Sequence, residues 1–334
     1  MKVPQYPTLL AIVAGSLITT SSSASLLVYE GFNYGESSMN IDGVSVGGGA
    51  TGLTGSYSTS TGTSGNGNVQ TSIYNSSGLT FSNLSTTGGA LTQTVSPTID
   101  STKEYTYSHA AINTSGTGTI YNSMLVRVDS NALSNPTLGQ NPSNSGVSDM
   151  RIQSTSSLTG NGNGSMVTNA KRSNQGSQKP GTSYTANGFI GGSGTISLAE
   201  TYLFITKYTN VGGVDGGDAT LWVFDETGFD TWQANGGLEG DLSTYAFMET
   251  TNTSSTAIAF DATKSMRFST GEFSVDFNSG ADNYDNVGTI GATYDEVRYG
   301  TSLGDVISAI PEPSQFALGF GFLALCLPFL RRKL

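Results

Sequence analysis

The amino-acid sequence predicts an all-β domain built as a sandwich of sheets. Charged residues make up only 12% of the 334 residues, and the chain contains 44 glycines together with many serines, threonines and asparagines. This composition suits short strands joined by many turns and disfavours amphipathic helices. Several short segments also alternate apolar and polar residues with the period of two that a half-buried strand requires.

Four segments carry the strand prediction. Residues 124–129 and 273–277 alternate apolar and polar side chains, whereas residues 202–208 and 221–224 are apolar on both faces. The first pair is typical of strands with one exposed face, and the second pair of strands covered by two layers. The predicted apolar faces are Met124, Val126 and Val128 in one strand and Phe273, Val275 and Phe277 in another, with Arg127, Asp129, Ser274 and Asp276 opposed to them.

A single domain over residues 25–310 is the simplest organisation of the chain. The sequence contains no fixed-period repeat, which argues against a solenoid or a propeller, and no interdomain linker stands out. Residues 43–68 and 154–194 are rich in Asn-Gly and Gly-Gly pairs suited to hairpin turns. We predict that these two stretches are loops or weak edge strands.

Charge and cysteine content exclude several classes of function. The net charge is -11, and the body between the two terminal segments has ten cationic and 24 acidic residues, so its charge is 10 - 24 = -14. An acidic body repels a phosphate backbone, which argues against nucleic-acid binding. Cys326 is the single cysteine and His109 the single histidine, so disulfides and a zinc site are not expected in the body.

The N-terminal segment has the pattern of a signal peptide. Residues 1–24 begin with Lys2, continue through an apolar stretch at 9–18 and end in Ser22-Ser23-Ala24. The apolar stretch is shorter than the roughly 20 residues of a membrane-spanning helix, which favours removal over a permanent anchor. We predict cleavage after Ala24.

The C-terminal segment, residues 311–334, has three parts in a fixed order. A proline-flanked motif is followed by the apolar run 316–330 and by a basic cluster at the end of the chain. The basic cluster would stay in the cytoplasm while the apolar run enters the bilayer as a transmembrane helix, which places the body outside. A buried core helix is the alternative, because two glycines and a proline interrupt the run. The motif is Pro311, Glu312 and Pro313, and the basic cluster is Arg331, Arg332 and Lys333.

On these residues the tail resembles the PEP-CTERM sorting tail of bacterial exopolysaccharide-associated proteins. The resemblance covers about the last two dozen residues and implies recognition by an exosortase, a membrane-embedded protease. It also implies cleavage near Pro311–Pro313, a transient stay in the inner membrane, and then release or attachment at the cell surface or in the extracellular matrix. It implies nothing about the activity of the body.

The body has a resemblance of its own at its two ends. Residues 29–34 read Tyr-Glu-Gly-Phe-Asn-Tyr, and residues 294–300 read Tyr-Asp-Glu-Val-Arg-Tyr-Gly, followed by Leu303 and Asp305-Val306. These segments resemble the first and last strands of laminin-G-like, concanavalin A-type jelly rolls found in PEP-CTERM proteins, although a glycine-rich stretch replaces the usual tryptophan-rich one after the first strand. That fold brings its terminal strands together, so we predict that Phe32 and Val297 lie on neighbouring strands and face the core.

Hydrolytic chemistry has little support in the sequence. Glycosidases on this fold need two carboxylates on one strand face, typically Glu-x-Asp-x-x-Glu, and that pattern is absent. Asp225-Glu226 and Asp295-Glu296 are adjacent pairs, so on a regular strand their side chains would point to opposite faces. A salt bridge from Glu296 to Arg298 is the alternative to catalysis. His109 could serve as a general base, but no partnered nucleophile accompanies it, and a surface or strand histidine is favoured.

Calcium is the metal that this loop chemistry favours. The segment 212–218 reads Gly-Gly-Val-Asp-Gly-Gly-Asp, and Asp215 and Asp218 could provide carboxylate oxygens for Ca²⁺ beside loop carbonyls. It matches neither an EF-hand nor a repeated calcium nonapeptide. A solvated acidic hairpin is therefore the alternative.

Carbohydrate binding would use an exposed aromatic ring as a stacking surface. Trp232 with Phe229 or Tyr245 could provide that surface beside the polar Asn235. Burial of the rings is the alternative.

These observations give two hypotheses on function. The first is a noncatalytic surface or matrix protein, not an enzyme, that binds glycans or neighbouring proteins and needs no cofactor. The second is a glycan-active hydrolase on the same fold with an atypical carboxylate pair.

Overall fold

The computed structural model describes most of the body of the chain. The ranges described are 25–35, 37–62, 69–84, 86–96, 104–133, 147–154, 165–172, 178–185, 190–191, 195–272 and 287–307. The predicted signal peptide, the sorting tail and the predicted strand at 273–277 lie outside these ranges. Within them, no helix is both long enough and apolar enough to cross a bilayer.

Two antiparallel sheets form the framework. The larger sheet has the order β14-β13-β12-β7-β16-β5-β4-β2, with β1 also paired to β16, and the smaller has the order β11-β10-β9-β8-β15-β6-β3. The nine strands of the larger sheet are β1 Leu26–Glu30, β2 Met39–Asn40, β4 Val69–Asn75, β5 Ala90–Ser96, β7 Gly118–Leu133, β12 Thr201–Val211, β13 Asp218–Phe224, β14 Met248–Thr253 and β16 Val287–Gly300. The seven strands of the smaller sheet are β3 Leu53–Gly62, β6 Glu104–Ile112, β8 Val147–Ser154, β9 Ser165–Arg172, β10 Gln178–Thr185, β11 Ile190–Gly191 and β15 Lys264–Glu272.

The main core lies between the two sheets and follows the predicted alternation. Met124, Val126 and Val128 of β7 are buried in this core, while Arg127 and Asp129 on the opposite face are partly exposed. The two segments predicted to be apolar on both faces are β12 and β13, and both are buried along most of their length. The all-β sandwich predicted from the sequence is therefore confirmed.

Short helices cover the outer face of the nine-stranded sheet. They are α1 Glu226–Ala234, a 3-10 turn Glu239–Asp241, α2 Leu242–Tyr245 and α3 Leu303–Ile307. Helix α1 begins at the N-cap Asp225, whose carboxylate accepts a hydrogen bond from the Gly228 amide. A second apolar cluster fills the space between these helices and the sheet, which explains why β12 and β13 are buried on both faces.

The first and last strands are neighbours, as the sequence predicts. In the register of β1 and β16, Tyr29 lies opposite Arg298 and Glu30 lies opposite Val297. Phe32 follows β1 by two residues, and both Phe32 and Val297 are fully buried in the main core. The two ends of the body thus close one sandwich.

The turn-rich stretches contain more strand than the sequence suggests. Strand β3 forms one edge of the seven-stranded sheet, and β9, β10 and β11 form its other end. These strands are rich in Ser, Thr, Asn and Gly, so they lack the apolar alternation by which strands are predicted. They belong to the sheet because their backbones pair with neighbouring strands.

Candidate functional site

The outer face of the seven-stranded sheet carries a line of polar side chains. Ser58 of β3 lies opposite His109 of β6, His109 lies opposite Arg267 of β15, and Arg267 lies opposite Arg151 of β8. Neighbouring strands are about 4.8 Å apart, so these four residues span about 15 Å across the sheet. We call them the cross-strand row. Their sequence neighbours Ala110, Met150, Ile152, Met266 and Phe268 face the main core, which places the row on the outer face.

Arg267 is the centre of the row and is held by an aromatic ring. Its Cζ atom lies 4.0 Å from the centroid of the Tyr107 ring, a distance at which the guanidinium and the ring attract each other. Both side chains are almost completely buried, and Ser265 and Ser269 on the same strand are also buried. Arg267 and Tyr107 therefore form the floor of the row.

His109 and Arg151 are the more accessible members of the row together with Ser58. His109 is half-buried, and its ring centroid lies 6.2 Å from that of Tyr107. Burial lowers the pKa of His109, the charge of Arg267 lowers it further, and Asp42 opposes the shift. His109 is therefore neutral near pH 7. In the described part of the chain its Nδ1 atom has no hydrogen-bond partner.

This arrangement can bind a ligand that carries both negative charge and hydroxyl groups. Guanidinium groups pair with carboxylates or sulfates in bidentate geometry, whereas neutral imidazole and serine hydroxyl groups pair with sugar hydroxyls. Ser58, His109 and Arg151 offer both kinds of partner along this line, while the buried Arg267 contributes only its charge from beneath. Its length suits an extended chain better than a compact molecule.

A cluster of buried carboxylates lies where the terminal strands meet. Arg298 Nη2 donates to Glu296 Oε2 at 2.6 Å, and each side chain is only 1% exposed. This is the salt bridge predicted from the sequence. Tyr29 lies beside it and donates to Glu296 Oε1, which also accepts a hydrogen bond from the Thr87 amide.

The prediction that Asp295 and Glu296 point to opposite faces is wrong. The register between β16 and β7 shifts between Asp295 and Arg298, and Glu296 has a φ of 50°. This bulge inserts one extra residue into β16, so Tyr294 and Val297 both face the main core. The side chains of Asp295 and Glu296, which lie between them, therefore both point to the opposite face of the sheet. Asp295 there accepts hydrogen bonds from the Leu79 amide and from the amide of Glu296.

Glu30 completes the buried cluster. Its carboxylate accepts hydrogen bonds from the Phe32 amide at 2.6 Å and from the hydroxyls of Tyr34 at 2.5 Å and Tyr57 at 2.9 Å. Burial outweighs these donors and raises the pKa of Glu30 to about 7. Burial likewise raises the pKa values of Asp295 and Glu296. These carboxylates are enclosed by protein and line no open groove.

The aromatic residues proposed for sugar stacking occupy the second apolar cluster. Trp232 and Phe229 are fully buried, with ring centroids 5.7 Å apart, and Trp232 Nε1 donates to the Leu238 carbonyl. The sequence left burial of the rings as the alternative to sugar stacking, and in the structure both of these rings are buried. Tyr245 is partly buried against the same cluster, and Asn235 is exposed at the C-cap of α1.

Asp215 and Asp218 lie in the hairpin between β12 and β13. Asp215 is exposed, and its backbone carbonyl accepts a hydrogen bond from Asn210. Asp218 accepts a hydrogen bond from the Thr253 hydroxyl at 2.6 Å. Across the described ranges, no three His, Cys, Asp or Glu residues are grouped as a metal site would require. Calcium binding at these two residues stays a prediction.

Sequence reasoning missed most of the cross-strand row. In the sequence, His109 stands alone as a candidate, and Tyr107, Arg151 and Arg267 are not singled out. The available signal was the period of two in residues 105–109 and 265–269, where polar or aromatic residues alternate with the core positions. The proposed sorting residues at 311–313 and 331–333 lie outside the described ranges.

Comparisons with known proteins found similarity among solved structures only. No protein family and no individual curated protein matches the sequence. Among solved structures, the chain is similar to an endo-beta-1,4-glucuronan lyase from the fungus Trichoderma reesei, with 12% identity and a TM-score of 0.40 over 74% of this chain and 92% of that one. It is similar to the carbohydrate recognition domain of Emp47p, with 8% identity and a TM-score of 0.37 over 85% and 99% of the two chains.

A third similar structure is lectin II from Ulex europaeus, with 9% identity and a TM-score of 0.34 over 80% of this chain and 98% of that one. At these TM-scores the similarity supports no conclusion about what this chain binds or does. The class that the fold itself defines is an antiparallel β-sandwich with helices on one outer face. Its finer assignment to the concanavalin A-type jelly rolls stays a prediction.

Proposed function

We propose that this chain is an exported surface or extracellular-matrix protein whose concanavalin A-type sandwich binds an acidic glycan without cleaving it. The observation that carries this proposal is the register that aligns Ser58, His109, Arg267 and Arg151 on one outer face. A polysaccharide that bears carboxylates or sulfates presents charges and hydroxyls at regular intervals along an extended chain. The cross-strand row offers complementary groups in the same linear arrangement.

The charge distribution supports an acidic ligand over a neutral one at this face. The body as a whole has a charge of 10 - 24 = -14, so an acidic chain is repelled from most of its surface. The row instead presents the partly exposed guanidinium of Arg151 beside a neutral imidazole, and the buried Arg267 adds positive charge beneath them without contacting a ligand. Repulsion elsewhere and attraction at the row would together orient the glycan across the strands.

A binding role is supported by where the carboxylates lie. Hydrolysis of a glycosidic bond needs an acid and a second carboxylate on either side of an accessible substrate. Glu30, Asp295 and Glu296 are brought together in this structure, but each is at most 1% exposed. A glycan could not reach them, so we do not propose the hydrolase alternative.

Export and sorting form the other half of the proposal. The signal-peptide pattern of residues 1–24 and the PEP-CTERM resemblance of residues 311–334 support processing at both ends by a signal peptidase and an exosortase. We expect native extracellular protein to begin at Ser25 and to end near Pro311. Intact-mass spectrometry tests this, and native extracellular protein that retains residues 316–334 would refute it.

Glycan binding is tested by titrating the protein with polyglucuronate, alginate and neutral dextran in a calorimeter. We expect binding of at least one acidic chain, weaker binding at higher salt, and no binding of dextran. Arg151→Gln should weaken binding about tenfold or more, because a charge-assisted hydrogen bond contributes about 1.5–3 kcal/mol. Lys207→Gln is the matched control and should bind like the wild type. Lys207 lies on the nine-stranded sheet, away from the row, and the substitution breaks only its exposed ion pair with Glu239.

Two outcomes would overturn the proposal. Dextran binding as tight as polyglucuronate binding would exclude recognition by charge. New chain ends appearing during incubation with an acidic glycan would show that the protein is an enzyme. A reducing-end assay run on the same samples, with the Arg151→Gln variant as comparison, distinguishes these cases.

A further inference from the structure

A polar cleft lies on the opposite side of the sandwich from the cross-strand row. Its volume is about 250 Å³, and it opens on the outer face of the nine-stranded sheet beyond the helices. Arg127, Thr293 and Thr92 come from the central strands β7, β16 and β5, at positions whose sequence neighbours face the main core. Asn75, Ser77 and Ser38 contribute further polar groups to its wall.

The floor of the cleft is an ordered chain of hydrogen bonds. Asn75 Nδ2 donates to Thr92 Oγ1 at 2.6 Å, and Thr92 Oγ1 lies 2.8 Å from Thr293 Oγ1. Thr293 donates its single hydroxyl proton to Asp129 Oδ2 at 2.6 Å, so Thr92 must be the donor to Thr293. Both hydroxyl protons are therefore committed, and the orientation of the floor is fixed.

Two groups at the floor retain capacity for a ligand. Arg127 Nε donates to Asp129 Oδ1 at 2.5 Å. This contact uses one donor of the guanidinium and leaves its Nη donors for a ligand in the cleft. Asn75 donates through its amide nitrogen, which leaves its Oδ1 atom as an acceptor. A fixed floor with donors and acceptors side by side suits the hydroxyl groups of a polyol.

The charges around the cleft disfavour an anionic ligand. The Arg127 cation is balanced by the Asp129 carboxylate in direct contact with it, so a ligand carboxylate at the Nη atoms would also meet Asp129 at close range. Repulsion between the two carboxylates offsets the attraction to the guanidinium. A neutral ligand is not repelled by Asp129.

The cleft has room for one small ring. Its volume is about 250 Å³ and it is open to solvent on one side, so a single sugar ring can enter it. We propose that this cleft is a second binding site, specific for one neutral sugar ring that places adjacent hydroxyl groups on Arg127 and Asn75. This site is independent of the acidic-glycan site, because it lies on the other sheet and uses different residues.

The test uses the full-length chain in mild detergent and saturation-transfer NMR with D-glucose, D-galactose, D-mannose and D-glucuronate at millimolar concentration. We expect at least one neutral sugar to bind and, in the Arg151→Gln variant that lacks the acidic-glycan site, to be preferred over D-glucuronate. Arg127→Gln should weaken that binding at least tenfold. Arg127→Lys should also weaken it, because it keeps the charge but loses the planar fork of donors.

A second variant keeps the test decisive if Arg127 affects local order. Ser77 is exposed at the cleft wall, so Ser77→Trp should block the cleft without disturbing the core. Arg151→Gln on the other sheet is the control and should leave monosaccharide binding unchanged, even where it abolishes polyglucuronate binding. The proposal is overturned if no neutral sugar binds, if D-glucuronate binds best to the Arg151→Gln variant, in which the acidic-glycan site is disabled, or if both Arg127→Gln and Ser77→Trp bind neutral sugars like the wild type.

Discussion

Glu30→Gln should change how the stability of this protein depends on pH. Glu30 is 1% exposed, and burial raises its pKa from 4.5 to about 7. Glutamine has nearly the same shape and keeps an acceptor for the Phe32 amide, and its amide group can donate to the hydroxyls of Tyr34 and Tyr57. The substitution therefore removes a titrating group while it preserves most of the local contacts.

The sign and size of the effect follow from the two pKa values. Below pH 4.5 the Glu30 carboxyl is protonated in both the folded and the unfolded protein, so it adds no pH dependence. Between pH 4.5 and 7 the folded state binds more protons, and stability falls as the pH rises. At about 1.4 kcal/mol per pH unit, the total loss is about 3 kcal/mol and is complete above pH 7. Glu30→Gln should lack this loss.

Urea unfolding followed by tryptophan fluorescence measures the effect at pH 4 and pH 8. Trp222 and Trp232 are buried and report on unfolding. The free energy of unfolding of Glu30→Gln relative to the wild type should increase by about 3 kcal/mol between the two pH values. Glu239→Gln, which alters an exposed ion pair, is the control and should change stability by less than about 1 kcal/mol. Parallel pH dependence in Glu30→Gln and the wild type would refute the reasoning.

Three further outcomes follow from the same structure. Arg298→Met should cost about 3–5 kcal/mol at pH 8 in urea unfolding, because it leaves the Glu296 carboxylate buried without its cation. Burial already raises the pKa of Glu296, so the cost should shrink as the pH is lowered and that carboxyl becomes protonated. Trp232→Phe should cost roughly 1–3 kcal/mol of stability yet leave glycan affinity in calorimetry unchanged, since the ring belongs to the core. Asp218→Asn should cost about 1 kcal/mol of stability, because Asp218 accepts a hydrogen bond from Thr253. If this hydrogen bond is the whole role of Asp218, the thermal unfolding temperature of the wild type should be the same with excess Ca²⁺ and with EDTA. A higher unfolding temperature with Ca²⁺ in the wild type but not in Asp218→Asn would support calcium binding.

The parts of the fold that the sequence predicted depend on local patterns. Strand β7 could be found because Met124, Val126 and Val128 alternate with polar residues within six positions. The pairing of β1 with β16 could be found because both segments carry motifs that resemble known terminal strands. In contrast, β3 and β10 have few apolar residues, and only their pairing with neighbouring backbones makes them strands.

The candidate site could not be predicted, because it depends on register between distant segments. Ser58, His109, Arg151 and Arg267 come from four strands that are far apart in the chain, and a shift of one residue in a single pairing would move a member to the core face. The bulge at Glu296 has the same origin, since it exists only in the pairing of β16 with β7. No local pattern carries this information.

The bulge also connects the closure of the sandwich with the polar cleft. It turns the Asp295 carboxylate outward, where it accepts a hydrogen bond from the Leu79 amide at 2.7 Å. Leu79 and the preceding Gly78 form part of the cleft wall. A Cβ atom on Gly78 would lie 2.8 Å from Asp295 Oδ2, so the wall and the carboxylate are in close contact. We therefore expect Asp295 to position the wall of the cleft, since it holds Leu79 but is not among the residues that line the cleft.

A graded series at Asp295 separates this positioning role from ligand contact. Asp295→Ala leaves the buried Leu79 amide without its acceptor, so we expect the wall to shift and neutral-sugar binding to weaken. Asp295→Asn keeps one acceptor oxygen and should retain more of the affinity. NMR titration of the folded variants would show this order, with the amide resonance of Leu79 moving most in Asp295→Ala. Equal sugar affinity in both variants, despite a displaced Leu79 resonance, would mean that the wall does not determine binding and that the floor residues alone hold the sugar.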